Sequence, residues 1–437
     1  MLRRNFLKYT SVVAAMALFP NTLQANVGDN PLWVFVQASG GWDPTSFCDP
    51  KGFLEEELDS NDNPTSAAMN RSYANVDIAT STSASAIKYA PVRGLDDNNV
   101  DYEFSTFFDK FGAELLVVNG IDTQTNGHDS GRRYMMSGKL SEGYPALSAL
   151  VAGISNPASP LAFITAGGYD ETFGVVAGTR LSNMNAINEL AFVNRYNDDN
   201  NYFHDDDFNR IKAANEARTN RTIANQGLES IIKLAKQYGL AHSGSNELKK
   251  LVEFLPDDVN THPDRNNQVF SQGRFAMAGY KAGLTASVNI NFGSFDTHGN
   301  HDATHIPRLA RLLKGVDLLK QEAENQGISD NVIFVIGSEF GRTPGYNSGN
   351  GKDHWSVSSM MFMGKGITGG RVVGASTHRH DALKVNPTTL AVDENGINIT
   401  YAHINKAMRK LAKIENNQLL TQYYPLAGTI EDLDIFS

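Results

Sequence analysis

The chain predicts an α/β fold, a mostly parallel sheet sandwiched by helices, with one helical insertion. Three observations carry this. Residues 32–37, 115–119, 286–292 and 332–336 are short apolar runs rich in β-branched residues, each followed within two residues by Gly or Ser. Two weaker runs lie at 358–363 and 161–165. Continuous rather than alternating apolar runs suit strands buried on both faces of a parallel sheet. Between the third and fourth runs, residues 305–326 place Leu309, Leu312, Leu313, Val316, Leu319 and Ala323 at helical spacing, so the unit reads strand–helix–strand. Residues 198–255 break the pattern. Ile211, Ala214 and Ala217, then Ile231, Leu234, Ala235 and Tyr238, sit among Lys and Glu and read as two or three amphipathic helices.

The N-terminus reads Met-Leu-Arg-Arg-Asn-Phe-Leu-Lys, with Arg3 and Arg4 paired ahead of Phe6, Leu7 and Lys8. The apolar stretch at 12–19 is short of the roughly 20 residues that a bilayer-spanning helix needs. A charged start, a short apolar middle and Leu23-Gln24-Ala25 together make a removable twin-arginine export signal. Leu2 departs from the pattern, standing where Ser or Thr often precedes the pair. The expected organisation is a signal at 1–25 and one α/β domain over 26–437, with the insertion at about 198–255. The expected location is the periplasm or cell surface, with the twin-arginine translocase as a partner during export.

Cleavage would remove three basic residues and no acid, moving the formal charge from 38 − 48 = −10 to 35 − 48 = −13. So acidic a chain is a poor match for a nucleic-acid backbone or an anionic membrane. No second apolar run is long enough to span a membrane, so no transmembrane segment is expected after cleavage. Cys48 is the only cysteine, which excludes an intrachain disulfide and leaves stability to the core. The 437 − 25 = 412 remaining residues suffice for one large domain. Residues 61–85, rich in Asn, Ser, Ala and Thr, read as a surface excursion.

Ligands of open α/β sheets sit beyond the carboxyl ends of the strands. The first run is followed by Ala-Ser-Gly-Gly-Trp-Asp, ending in Asp43. The second leads to Gly-His-Asp-Ser-Gly-Arg, with His128 and Ser130. The third is followed by Gly-Ser-Phe-Asp-Thr-His-Gly-Asn-His, with Asp296, His298 and His301. The fourth is followed by Gly-Ser-Glu-Phe-Gly-Arg, with Glu339 and Arg342, and then by Gly-Lys-Asp-His-Trp, with Asp353 and His354. These oxygen and nitrogen donors suit a divalent ion such as Zn²⁺ or Mn²⁺, and carboxylates so gathered repel one another without a cation. Each residue also has an ordinary reading: Asp43 as a turn or helix cap, His298 and His301 as loop histidines, Glu339 with Arg342 as an ion pair. The combination at matching strand ends favours a shared site. His378 and His380 form a weaker cluster expected at the surface, and His204 beside Asp205–Asp207 reads as a solvated acidic loop.

At these segments (34–43, 119–138, 291–301, 334–354 and 362–374) the chain resembles the family catalogued as domain of unknown function 1501, whose members typically carry twin-arginine signals. That family is remotely similar to the alkaline phosphatase and sulfatase superfamily. The resemblance implies an alkaline-phosphatase-like fold and a site for a divalent metal (Zn, Mn, Ca or Mg) that hydrolyses phosphate or sulfate esters of small anionic molecules. It implies Asp296, His298 and His354, with Asp353 beside them, around one metal and Asp43 and Glu339 near a second. Arg342 would stabilise the ester oxygens, and Ser130 or water would attack, with His128 alongside. Phe340 stands where the superfamily has a His, His298 follows Asp296 by two residues rather than four, and neither His128 nor Ser130 carries a clear nucleophile signature. The rival reading is a non-catalytic exported binding protein that keeps the fold. Replacing Arg3 and Arg4 together with Lys should retain the precursor in the cytoplasm; normal periplasmic levels on fractionation would overturn the signal assignment.

Overall fold

The computed structural model describes residues 30–437 apart from 158, 160, 181–190, 198, 229–230, 233–234 and 237–244. The expected signal at 1–25 lies outside the described residues, as do Leu234 and Tyr238 of the expected insertion helices. Strands β1 (Leu32–Ala38), β2 (Leu116–Asp122), β3 (Phe163–Thr165), β4 (Gly178–Arg180), β5 (Ser287–Phe292), β6 (Val332–Gly337), β7 (Val357–Gly364) and β8 (Arg371–Val373) form one eight-stranded sheet, in the order β8-β2-β7-β6-β1-β5-β3-β4. Every neighbouring pair is parallel except the two made by β7, which runs against β6 and β2.

All seven residues of the central β1 are buried, which is why its sequence is apolar without alternation. Successive side chains still point to opposite faces. Leu32, Val34 and Val36 join one core with Phe104, Phe107 and Phe108 of helix α1 (Phe104–Phe111), while Trp33 and Phe35 join the other. The second core is completed by helices α2 (His128–Ser137) and α3 (Leu147–Ser155). The register sets Val34 beside both Phe334 and Val288.

Helices α4 (Asp205–Asn225) and α5 (Ser245–Glu253) occupy the segment read as an insertion. The stripe of Ile211, Ala214 and Ala217 on α4 is not covered; no residue of this 21-residue helix is buried. Two alanines and one isoleucine offer too little apolar area to dock it. Its first turn instead carries Asp205, Asp206 and Asp207, which favour the positive end of the helix dipole. α5 does dock, through Leu248 and Leu251. After it come α6 (Gln268–Lys281) and α7 (His301–Asn325), which line the first core. α7 starts at His301, whose amide bonds Asn350 O, so the helix begins inside the strand-end loops. Helix α8 (Tyr401–Leu411) packs on the second core.

The stretch at 61–85 is only partly a surface excursion. Met69, Asn70 and Tyr73 are buried, because Asn70 Nδ2 satisfies Thr45 O and Lys51 O, and Tyr73 Oη donates to Thr45 O. Among the described residues no helix is long and apolar enough to cross a membrane. Phe334, buried in the middle of β6, tests the packing. Phe334→Ala should cost about 3–5 kcal/mol in denaturant unfolding, against a fraction of that for a change at the exposed Val76.

Candidate metal centre

The carboxyl ends of β1, β5 and β6 lie side by side, and the loops leaving them interlock. Gly40 has φ +120°, and a Cβ there would stand 2.5 Å from Asp296 N, so only glycine lets the β1 loop close on the β5 loop. From α2, Gly131 sits against Glu339: a Cβ would lie 2.9 Å from the Glu339 Cβ and carbonyl oxygen. That close approach brings the α2 residues His128 and Arg132 to the β6 loop.

Three imidazoles meet around Asp296, and each has its Nδ1 held from behind. His128 Nδ1 lies 3.0 Å from Glu339 Oε1, His298 Nδ1 2.7 Å from Asp353 Oδ1, and His354 Nδ1 2.7 Å from Asn126 O. All three partners only accept, so each ring carries a proton on Nδ1; Nε2 faces inward, as a donor to Asp296 when the ring is protonated and as a lone pair when it is neutral. There, His128 Nε2 is 3.5 Å from Asp296 Oδ2, His354 Nε2 is 3.1 Å and His298 Nε2 3.0 Å from Asp296 Oδ1, and the two latter Nε2 atoms are 3.1 Å apart. With the rings neutral, the Nε2 lone pairs and the Asp296 carboxylate are aimed at a common point as donors to a cation. One ligand atom each from His128, Asp296 and His354 lie within 4.8 Å of one another. Ligand atoms on one tetrahedral ion with bonds near 2.0–2.1 Å stand about 3.3 Å apart, so this trio fits a single divalent ion. The buried ring of Phe340 packs on His128 and His354, with centroids 5.0 and 4.4 Å away, and fixes their planes.

The charges are tuned accordingly. Burial works against ionisation of Asp296, but bonds from Arg342 and His354 bring it down to about 2. Burial likewise opposes Glu339, yet the His128 contact and the Gly40 amide hold it below the ordinary value. Asp353 is lowered by its bond to His298. The Glu339 bond raises His128 against the opposing effect of its partial burial.

Several expected roles change. Asp43 is a fully buried carboxylate with its own cation. Its Oδ2 takes Lys352 Nζ at 2.6 Å and faces His301 Nε2 at 3.2 Å, while Oδ1 caps the following turn at Thr45. Burial pushes the Asp43 carboxyl up, but Lys352 and His301 more than offset this and leave it well below the ordinary 3.8. An ammonium therefore neutralises Asp43, whose oxygens are taken by Lys352, His301 and Thr45 rather than by the imidazoles around Asp296. Glu339 and Asp353 orient His128 and His298 from behind. Arg342 is fully buried and bonds Gly41 O at 2.7 Å, Lys352 O at 2.9 Å, Gly40 O and Asp296 Oδ1 at 2.8 Å, so it splices loops instead of facing an ester. Ser130 Oγ is taken up with Thr125 Oγ1 at 2.7 Å and Gly127 O at 3.2 Å. His380, expected at the surface, is buried, because its carbonyl receives Trp355 Nε1 and its ring lies against Arg342 O.

Lys352, His301, His305 and Thr297 went unread as a group. Asp43 N donates to His305 Nε2 at 2.8 Å, so His305 is protonated on Nδ1, which points to Thr297 Oγ1 at 3.0 Å. Thr297 in turn meets His301 Nδ1 at 2.7 Å, leaving the His301 proton on Nε2, toward Asp43. Burial lowers both rings, which stay neutral. The Lys-Asp-His spacing at 352–354 was visible, but nothing local says that Lys352 turns inward while His354 turns outward.

This is an α/β protein with a candidate metal centre at the carboxyl ends of its parallel strands. The model of the family described as "Protein of unknown function (DUF1501)" matches residues 32–403, and the chain belongs to that family. No curated protein matches it. Among solved structures it is similar to PsFucS1 sulfatase from Pseudoalteromonas sp. (9% identity, 100% of this chain and 80% of that one, TM-score 0.34). It is also similar to a protein in the alkaline phosphatase superfamily from Vibrio parahaemolyticus (11% identity, 98% and 80%, TM-score 0.31). A third is the phosphonate monoester hydrolase of Agrobacterium radiobacter (10% identity, 88% and 74%, TM-score 0.33).

Lys352→Met would strand the Asp43 carboxylate in the interior, and stability should fall by roughly 3–5 kcal/mol. The folded-state pKa of Asp43 is depressed, so the pair contributes in full above 3.8 and is lost as pH falls through the lowered value. A Lys352→Met variant with unchanged unfolding midpoint would disprove the pairing.

Proposed function

We propose that the protein is an exported metal-dependent hydrolase of phosphate or sulfate esters, with one divalent ion held by His128, Asp296 and His354. The observation that supports it is the set of inward Nε2 lone pairs converging on one carboxylate, each ring fixed by an acceptor on its far nitrogen. A three-ligand set leaves a coordination position open, as catalysis requires. An imidazole-rich set favours a transition ion such as Zn²⁺ or Mn²⁺ over Ca²⁺ or Mg²⁺. The ion, when bound, polarises the ester oxygen and lowers the pKa of water.

The chain's own groups supply the rest. Glu339 holds His128, and Asn126 holds His354, in the tautomer that offers Nε2. His298, half exposed and tied to Asp353, is placed to take the proton of the attacking water on Nε2, with Asp353 steadying the imidazolium that results. Asn347 Nδ2 reaches both His298 O and Asp353 Oδ1 and keeps this pair in register.

A second reading has its own observation. His298 Nε2 is 3.1 Å from His354 Nε2, near enough to serve the same ion as a fourth ligand. A closed set of four would make the centre structural and the protein a binding module. Metal analysis separates them. His354→Ala should lose the metal under both readings. His298→Ala should keep it and lose ester cleavage if His298 is the base, and lose it if His298 is a ligand. Wild type that takes up no stoichiometric divalent ion would sink the proposal. At a pH where the imidazoles are protonated, uptake must displace protons, so affinity should fall as pH drops. The raised His128 moves that loss to higher pH than an ordinary imidazole would, at about tenfold per pH unit for each proton displaced.

A further inference from the structure

Arg132 lies on α2 four residues after His128, on the same face of the helix. Its Nε is buried yet makes no hydrogen bond among the described residues, and its nearest acidic group, Glu339 Oε1, is 3.6 Å away. That oxygen already accepts from His128 at 3.0 Å and from Gly40 N at 2.8 Å. The Arg132 side chain as a whole is about one-third exposed. It is therefore held beside the metal centre by charge, with its planar fork of donors uncommitted, unlike the saturated Arg342. The first turn of α2 adds to this, because the N-cap Gly127 offers no side chain and leaves the leading amides uncapped.

The charge balance says when an anion is welcome. Asp296, Glu339 and Asp353 face Arg132 and Arg342, which with neutral imidazoles gives 2 − 3 = −1; a divalent ion turns this into 4 − 3 = +1. Counting the exposed Asp129 in the first turn of α2 as well gives 2 − 4 = −2 and 4 − 4 = 0, so the ion still removes the net negative charge that would repel an anion. We infer that Arg132 and the metal centre together form a subsite for a tetrahedral oxyanion, the phosphoryl or sulfuryl group of the ester, with Arg132 binding two of its oxygens. This rests on the hydrolase reading and adds the residue that recognises the transferred group. Arg is suited to that geometry, since its fork matches two oxygens of one anion.

The test measures binding of inorganic phosphate, sulfate and acetate by calorimetry to the purified full chain, with and without Zn²⁺, alongside metal content. Metal-loaded wild type should bind phosphate or sulfate and metal-free protein much less. Arg132→Gln should weaken binding by roughly tenfold or more with metal content and thermal midpoint unchanged, and Arg132→Lys should recover part of it. The stronger of phosphate and sulfate identifies the ester class. Equal affinity for acetate would overturn the tetrahedral-oxyanion assignment. Loss of metal in Arg132→Gln would show that Arg132 acts through Glu339 and His128, and would also overturn it. Wild type that binds metal but no anion leaves the metal centre standing and removes the subsite. Should wild type take up no metal, the hydrolase reading fails, and the subsite fails with it unless metal-free protein binds phosphate in an Arg132-dependent way.

Discussion

The strand-end loops depend on one buried guanidinium. Arg342 carries donors to the carbonyls of Gly40 and Gly41 after β1, to the carbonyl of Lys352 beyond β6, and to the carboxylate of Asp296 after β5. Those three loops are far apart in sequence, and their backbone carbonyls would otherwise be buried without partners, at about 1–3 kcal/mol each. Its charge is balanced by Asp296, which is thereby fixed with its other oxygen turned to His128. A group that looks like a substrate clamp in the sequence is thus the pin that holds the centre together.

Around that pin the acids are sorted by what neutralises them. Asp43 goes inward to the Lys352 ammonium and a closed run of neutral histidines. Asp296 faces outward to three imidazoles. Gathered negative charge is costly unless a cation meets it, and at Asp43 this chain meets it with an ammonium. The adjacency of Lys352, Asp353 and His354 shows how finely this is divided: consecutive residues serve the buried pair, the support of His298, and the centre itself.

Much of this was legible. The central strands were found within one or two residues because buried parallel strands announce themselves through local composition, and α7 because Leu309 to Ala323 keep helical spacing. β4 and β8 were missed; each is three residues long and partly exposed, too short for any periodicity. That Asp296, His298 and His354 come together was legible because each follows a strand at the same edge of the sheet. Arg132 is not legible as a site residue from the sequence, since the helix face it shares with His128 becomes visible only once the helix start is known.

By itself the sequence determined the class of fold and the kinds of atoms gathered at the strand ends, because both follow from short-range patterns along the chain. The tertiary structure alone decided what each charged group does there. Asp43 and Lys352 are separated by 309 residues and pair at 2.6 Å. Whether a carboxylate meets an ammonium, a guanidinium or an imidazole depends on which distant loop packs against it, and that choice sets its burial, its charge and its role.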